Sequence, residues 1–457
     1  VDWLDAVSRV GVRTQHSLSL SGGSARSNYR VSADYRSANG IDLYSGREEY
    51  GARVALNHTT KGGLITFSLN VAPRVAYRKN ASWDVFRNAV EANPTTPIMD
   101  PKDPSLYYNF KGQAAGYNPL ELLKKDKSTG TTKLLDWDGT VKLNLLPLLL
   151  NKEDHQTLTT QLTFADHQYD NYNQWFRPST STLAINAGRE GEASQDYSKS
   201  AVRTLEWITN YANSFGNHNI KAMAGYSYQY EQYSGLNAAN KDFPNDALED
   251  NNLGSGTYAK DEGELGMGSY KNDSKLISFF GRVSYDWKGR YMLTASLRHE
   301  GSSKFGEHHK WGNFPAISAG WRISDEAFMA GTKSWLTDLK LRGDFGITGN
   351  QSFDSYRSLN TMSGFGYYLY NGKYYQVWGP GKNVNPDLRW EKGQNWNVGL
   401  DWTLFGGDLY GSFNYYSRKQ QDLLGDYNVS VPPYLFTSTF VNVGTMRNSG
   451  FEFDLTW

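Results

Sequence analysis

The stretch Tyr-Arg-Val-Ser-Ala-Asp-Tyr-Arg, residues 29–36, alternates apolar and polar side chains one by one. Successive side chains of a β-strand point to opposite faces, so a period of two predicts a strand with one apolar and one polar face. A helix repeats every 3.6 residues and cannot use this pattern. The stretch therefore predicts a two-faced β-strand.

The same alternation recurs along the whole chain and predicts about fifteen strands. The further segments lie at 50–56, 65–71, 141–145, 158–164, 205–211, 220–230, 277–287, 291–297, 317–323, 339–347, 396–404, 409–415 and 451–457, and another includes Leu18 and Leu20. In 339–347 the polar phase holds Lys340, Arg342 and Asp344. A strand face that carries these charges cannot contact lipid.

The connections between the strands differ in length on the two sides of the predicted sheet. Tight turns at 61–63, 288–289 and 405–408 alternate with long polar excursions. The excursions lie at 76–139, 167–201, 234–273, 350–391 and 417–446. Short turns on one rim and long loops on the other are typical of a transmembrane β-barrel. On the short-turn side, Asp325 and Glu326 followed by Ala327, Phe328 and Met329 predict a brief helix.

The composition excludes several other classes of protein. Lys+Arg and Asp+Glu are both 47, and no basic block indicates a nucleic-acid partner. The absence of cysteine excludes disulfides, thiolate metal sites and a cysteine nucleophile. The longest apolar run, 143–150, is interrupted by Asn144 and Pro147 and is too short for a membrane-spanning helix.

Aromatic residues make up 14% of the chain, with 31 Tyr and 14 Trp, and such rings suit boundaries between apolar and wet surroundings. Several lie at the ends of predicted strands, where the aromatic girdles of a barrel would lie. They are Tyr35, Tyr211, Trp287, Tyr291, Trp321 and Trp402. Ordinary cross-strand packing is the alternative for each ring.

Seven segments, in chain order, resemble signatures of the SusC-like (SusC/RagA), TonB-dependent outer-membrane transporters of Bacteroidetes. They are HSLSLSGGSARSNYRVSADYR (16–36), NPTTPIMDP (93–101), NDALEDNNLG (245–254), SSKFGEHHKWGNFPAISAGWRISDEAFM (302–329), WLTDLKLRGDFGITGNQ (335–351), NPDLRWEKGQNWNVGLDWTLF (385–405) and NVGTMRNSGFEFDL (442–455). The resemblance covers essentially the whole chain.

The resemblance implies an all-β, antiparallel transmembrane barrel of about 22 strands, filled by a plug domain and located in the outer membrane. It implies active import of bulky nutrients, glycans or peptides, powered by TonB and assisted by a SusD-like surface lipoprotein. Residues 1–457 are then expected to be a barrel fragment without the plug and the last strands. The odd strand count agrees, because single-chain bacterial barrels have even numbers. A passive porin or a receptor or scaffold barrel is the alternative, which the sequence upstream of the barrel would decide.

Catalytic and metal-binding motifs do not emerge from the sequence, and no enzyme activity or cofactor is expected. Glu307, His308 and His309 could ligate a metal, but a solvated loop is favoured. Asp136 and Asp138 before Gly139 imitate the start of a calcium loop, but a turn is favoured because the other ligands are missing. The polar cluster 249–252 could bind calcium or a partner, although such clusters are usually just solvated.

A Gly-rich segment within the excursion 350–391 is crowded with aromatic rings. They are Tyr367, Tyr368, Tyr370, Tyr374, Tyr375 and Trp378. Their ring faces could stack on sugars or clamp a partner lipoprotein, and we predict a substrate- or lid-binding surface here. The alternative, that the rings pack on each other to hold the loop in shape, stays open.

Overall fold

The computed structural model describes residues 1–149, 156–262 and 266–457. These residues form nineteen strands and six short α-helices. The strands are β1 (Arg13–Gly23), β2 (Ser27–Asn39), β3 (Gly46–Thr59), β4 (Ile65–Lys79), β5 (Lys127–Asn144), β6 (Gln156–Arg177), β7 (Glu192–Phe215), β8 (His218–Lys241), β9 (Met267–Trp287), β10 (Tyr291–Ser302), β11 (Trp311–Arg322), β12 (Leu336–Asn350), β13 (Met362–Tyr370), β14 (Lys373–Pro380), β15 (Glu391–Leu404), β16 (Leu409–Gln421), β17 (Leu424–Asn428), β18 (Ser438–Asn442) and β19 (Thr445–Thr456). The helices are α1 (Trp3–Val7), α2 (Asp84–Glu91), α3 (Pro119–Lys125), α4 (Leu146–Leu149), α5 (Thr182–Asn186) and α6 (Tyr258–Asp261).

Fifteen of the described strands form one antiparallel sheet, in which each strand pairs with the next one along the chain. The order is β1 to β12, then β15, β16 and β19. The remaining strands form two separate pairs, β13–β14 and β17–β18, inside the connections that follow β12 and β16. The prediction of about fifteen antiparallel strands is therefore confirmed.

The register places apolar side chains opposite one another from strand to strand, because the two residues of an antiparallel pair share a face. Leu341 lies opposite Trp321 on β11 and Leu400 on β15. Leu400 in turn lies opposite Phe413, which lies opposite Phe453 on β19. Leu341, Phe413 and Phe453 are exposed on this face. The sheet thus carries one continuous apolar face, as an interface with lipid requires.

The opposite face is polar, and its charges neutralise one another. Glu49 is nearly buried, and its carboxylate forms ion pairs with Arg36 (2.6 Å), Arg47 (2.8 Å) and Arg74 (3.0 Å). Far along the sheet, Arg342 pairs with Asp401 at 3.0 Å, as the predicted polar phase of β12 requires. This face is suited to a water-filled or protein-filled interior.

Aromatic rows border the apolar face at both edges. At the short-turn edge, Trp287, Tyr291 and Trp321 stack in series with ring centroids 5.5 and 6.4 Å apart. At the long-loop edge, Tyr35 and Tyr50 lie 5.0 Å apart, and Tyr77 continues the row. These rings pack across strands, as the alternative interpretation held, and their role as the girdles of a barrel stays a prediction.

Three connections on the long-loop side are shorter than predicted, because β5, β6, β7 and β8 run for 18, 22, 24 and 24 residues. The excursion predicted at 167–201 reduces to 178–191, the one at 234–273 to 242–266, and the one at 76–139 to 80–126. Residues 263–265 lie outside the described residues. Beyond the apolar face these strands contact the rim and carry polar residues on both sides, so hydrophobic alternation ends while the hydrogen-bond ladder continues.

The apolar cores of the described residues lie in the long-loop rim rather than inside the sheet. One cluster joins α1, α2 and α3 through Val7, Val85, Phe110 and Leu123. A second cluster contains Phe305, Phe314, Leu388 and Trp390, and a third contains Phe176, Ala193 and Phe243. The long connections are therefore folded structures fixed to the sheet.

The brief helix predicted at 325–329 is two short 3-10 turns, Ile323–Asp325 and Ala327–Thr332. Glu326 interrupts them with an extended backbone (ψ 148°) because its carboxylate is held by Trp321 and Arg290. None of the helices in the described ranges has the length and apolar character needed to cross a membrane. The apolar run 143–150 ends at residue 150, outside the described residues.

Candidate functional site

The six rings predicted as a binding surface lie on a hairpin formed by β13 and β14. The turn is Asn371-Gly372, and both residues have positive φ (49° and 71°). This is the geometry of a type I′ turn, whose twist matches that of the paired strands. The sequence analysis assigned this segment to a long excursion without an internal structure, and the Asn-Gly pair between alternating apolar residues accounts for the hairpin.

The hairpin has two aromatic faces. Tyr368 lies opposite Tyr375, and Tyr370 opposite Lys373, so one face presents these three tyrosines. Leu369 lies opposite Tyr374, and Tyr367 opposite Gln376; alternation along β14 places Trp378 on this second face. The structure thus divides the six predicted residues equally between two surfaces.

The rings of both faces are more than half exposed, from 52% for Tyr375 to 72% for Tyr374. Among the described residues of the hairpin, one pair of rings stacks: Tyr368 lies on Tyr370, with 6.4 Å between the ring centroids. Self-packing therefore accounts for one pair of rings. An isolated two-stranded hairpin is marginally stable in water, so these faces suit coverage by another molecule.

The base of the hairpin is clamped to the rim on both sides. Before β13, the Ser358 hydroxyl donates to the carbonyl oxygens of Lys304 (3.0 Å) and Phe305 (3.2 Å). After β14, the Asn383 amide donates to the carbonyl oxygens of Phe436 (2.7 Å) and Ser438 (2.8 Å). The hairpin therefore projects from a fixed platform.

One ring contact steadies the lower part of the hairpin. Phe365 stacks on Phe436, in the connection between β17 and β18, with centroids 6.4 Å apart. The predicted binding surface did not include Phe365, or Leu369 and Val377, which complete the two faces. The period-two alternation on either side of Asn-Gly was the signal that could have found them.

The platform is polar. Tyr356 donates a hydrogen bond to the Asp273 carboxylate on β9, and that bond together with burial raises the pKa of Tyr356. Lys382 donates to the Tyr356 carbonyl oxygen, and burial followed by the nearby Arg357 lowers the pKa of Lys382. The segment 362–380 itself carries one charge, Lys373 at the tip. The β13–β14 hairpin is thus aromatic and almost uncharged, whereas the residues at its base are charged.

The candidate metal residues have other environments. Asp136 and Asp138 lie within β5 rather than in the predicted turn, and they contact His167 and Asn70 across the polar face. The turn prediction was wrong because their alternation with Trp137 belongs to the strand. In the ranges that the structure describes, no group of three or more His, Asp or Glu side chains could hold a metal ion.

Two further loop candidates are partly tied down. Glu307 and His308 are exposed in the connection 303–310, as the solvated-loop interpretation predicted, whereas His309 is half-buried with Nε2 3.8 Å from the Asp387 carboxylate. In the cluster 249–252, however, Asp250 is buried and accepts hydrogen bonds from Gln174 (2.6 Å) and Gln195 (3.3 Å). This carboxylate fixes the loop to β6 and β7 and is not simply solvated.

We expect Gly372→Ala to loosen the hairpin by about 1–2 kcal/mol, because a Cβ disfavours the left-handed backbone at φ 71°. No neighbouring atom lies within 4 Å, so the penalty is one of backbone conformation alone. Limited chymotrypsin digestion of the full-length protein should cut the hairpin roughly five- to thirtyfold faster. Gly331→Ala, at an open position without positive φ, is the matched control. Unchanged cutting would show that the turn does not hold the arm.

Known proteins resemble this chain over almost its whole length. Residues 93–457 match the family described as TonB dependent receptor-like, beta-barrel. The chain is 30% identical to the TonB-dependent receptor P39 of Formosa agariphila, over 99% of this chain and 41% of that protein. It is 28% identical to the TonB-dependent receptor SusC of Bacteroides thetaiotaomicron, over 99% of this chain and 46% of that protein. The chain thus spans less than half the length of either relative.

A solved structure shows the same fold. One chain of the RagAB peptide importer in its closed-closed state superposes with a TM-score of 0.81, at 20% identity, over 99% of this chain and 49% of that chain. The fifteen-stranded sheet is therefore the wall of a partial antiparallel β-barrel, as the sequence predicted.

Proposed function

This chain belongs to the TonB-dependent receptor family, as a SusC-like member, and from that premise we propose that it forms the barrel wall of an outer-membrane nutrient importer. The single observation that carries the proposal is the two-faced sheet. Its apolar face, bordered by aromatic rows, matches a lipid bilayer. Its polar face, with the Glu49 and Arg342 ion pairs, matches a wet interior.

In this proposal the rest of the protein supplies a plug domain and the strands that close the barrel. The chain spans about half the length of its relatives, which leaves room for both. The polar face then lines the passage and contacts the plug. TonB acts on the plug from the periplasm, the side of the short turns, and the long-loop rim faces outside.

The hairpin formed by β13 and β14 is the proposed contact for a SusD-like lipoprotein or for the imported solute, a glycan or a peptide. It is an aromatic arm on the outer rim, clamped at its base by Ser358 and Asn383. Tyrosine and tryptophan supply large, rigid contact areas with hydrogen-bonding ends, which suits both peptide and sugar surfaces.

The test is energised uptake by cells that express the full-length protein. Fluorescent oligosaccharides and oligopeptides are offered with and without a protonophore that collapses the proton motive force. Active import predicts that uptake stops on collapse, and also on deletion of TonB. Uptake that persists under both conditions would instead favour a passive porin, and surface binding without uptake would favour a receptor. A strain without the protein corrects for other routes.

A further inference from the structure

The hairpin formed by β13 and β14 is a two-stranded sheet, so each of its strands has one edge without a partner strand. In an antiparallel pair, residues that bond across the pair alternate with residues whose N–H and C=O point away from it. Two contacts fix this alternation. Tyr370 and Lys373 flank the two-residue turn, and the Gly381 N–H donates to the Thr361 carbonyl oxygen at 2.8 Å. Odd-numbered residues of β14 therefore bond to β13, and even-numbered ones face outward.

The outer edge of β14 presents a regular row of backbone N–H groups, those of Tyr374, Gln376 and Trp378. Within the described residues, none of these N–H groups has a hydrogen-bond partner. They are spaced about 6.7 Å apart, twice the rise per residue of a strand. Residues 373–378 are all exposed, so another chain can reach the row. A row of unpaired N–H and C=O groups is a template for a further strand.

The edge of β13 is less suited to a further strand, because a bulge interrupts it. Its register shifts between Gly364 and Tyr367, and Gly366 has a positive φ of 97°. A bulge bends its strand and disrupts the ladder, which is one way that proteins protect a free edge. The row on β14 continues to Pro380, which has no N–H and ends it. The free edge of β14 is thus a site for about five to seven residues of extended chain.

The charge of the hairpin lies at one end of this edge. Lys373, which is exposed at the tip, is the one charged residue in β13 and β14, and β14 runs from it toward the rim. A chain added antiparallel to β14 runs toward the tip, so its C-terminal carboxylate comes beside the Lys373 ammonium group and is attracted to it. An oligopeptide has such a free carboxylate, whereas an internal segment of a partner protein and a neutral glycan lack it.

We propose that the outer edge of β14 binds oligopeptides by strand addition: the peptide pairs antiparallel with residues 374–378, and its C-terminal carboxylate contacts Lys373. Main-chain hydrogen bonds to Tyr374, Gln376 and Trp378 supply affinity that depends little on peptide sequence. Alternate peptide side chains extend the two aromatic faces and pack beside their rings. The inference rests on the outer-rim placement given under the proposed function, and it names a peptide as the ligand of the hairpin.

The test measures binding of a heptapeptide of alternating valine and threonine, with fluorescein at its N-terminus and a free carboxylate, to the purified full-length protein. Fluorescence polarisation is followed for the wild type and for two proline variants. Gln376→Pro removes an outward N–H of β14, whereas Leu369→Pro removes an outward N–H of β13 and is the matched control. We expect Gln376→Pro to weaken binding about tenfold or more and Leu369→Pro to leave it unchanged.

Two further measurements examine the tip and the edge separately. A C-terminal amide on the peptide should weaken binding to the wild type about two- to fivefold, the size of an exposed ion pair, and should change nothing in Lys373→Ala. Hydrogen exchange of the wild type, followed by mass spectrometry, should slow in residues 373–380 when the peptide is added and stay unchanged in 362–370. This second measurement needs no variant, so a variant that misfolds does not decide the result.

Equal losses from the two proline variants would overturn the proposal, as would unchanged exchange in 373–380 or no peptide binding at millimolar concentration. An amide that binds as tightly as the free acid would remove the role of Lys373 and with it the assignment to oligopeptides. Dimers of the protein that Gln376→Pro abolishes, without peptide binding, would show that a second copy occupies the edge. Energised uptake of oligosaccharides that continues while no peptide binds contradicts this inference alone, whereas uptake that needs no energy contradicts the proposed function.

Discussion

Leu341→Arg is expected to lower the stability of the membrane-embedded full-length protein by about 1–3 kcal/mol, because a lipid-facing arginine costs about 2–4 kcal/mol at the bilayer midplane and less toward the interface. Leu341 lies opposite Leu400, on a register position between those of Trp402 and Trp396. It also lies opposite Trp321 of the short-turn aromatic row, so its side chain is on the apolar face at the side of that row. The loss is measured by equilibrium denaturation in phospholipid vesicles, followed by tryptophan fluorescence.

Arg342→Leu is the matched comparison, because the two positions are adjacent and point to opposite faces. The arginine pairs with Asp401 at 3.0 Å, and both side chains are about one-third exposed. A solvent-screened pair of this kind contributes roughly 0–1 kcal/mol. We therefore expect the smaller loss from Arg342→Leu. Equal losses, or the reverse order, would mean that the assignment of the two faces is wrong.

The two faces of β12 were predictable from the sequence because side chains alternate between a face that contacts lipid and a face that lines the interior. Lipid excludes charge from one face, and the interior tolerates it on the other, so Leu341 and Arg342 differ in kind. The same logic failed for the outer parts of β6, β7 and β8. There Asp166, Gln168 and Asp170 occupy the face that carries Leu162 and Phe164 lower down, and polar contacts such as the hydrogen bond from Gln168 to Asp166 (2.8 Å) replace apolar ones.

The candidate site was predicted in composition but not in shape. Its rings were visible in the sequence, and the Asn371-Gly372 turn was a local signal that could have indicated a hairpin. The clamps at the base were not predictable, since Asn383 reaches residues more than fifty positions away. Such contacts depend on how β12, β15 and β16 are aligned, and they determine that the rings project instead of folding back.

Replacing Tyr367, Tyr368, Tyr374, Tyr375 and Trp378 together by Ala is expected to weaken binding of the lid lipoprotein or of the solute by tenfold or more. Stacking on an aromatic ring contributes on the order of 1–3 kcal/mol per ring by analogy with stacked bases, so two productive rings suffice. The fold should persist, because the clamps at Ser358 and Asn383 and the Phe365–Phe436 stack remain. Calorimetric titration of the full-length protein with the lipoprotein, glycans and peptides measures the change.

The two faces allow a sharper experiment with matched variants. One variant replaces Tyr368, Tyr370 and Tyr375, and the other replaces Tyr367, Tyr374 and Trp378. A sugar or peptide that stacks on one face should respond to one variant alone, whereas a lipoprotein groove that encloses the arm should respond to both. The barrel's thermal transition serves as the control for folding. If affinity for every candidate is unchanged in both variants, the rings serve only the packing of the loop, and the binding surface must lie elsewhere on the rim.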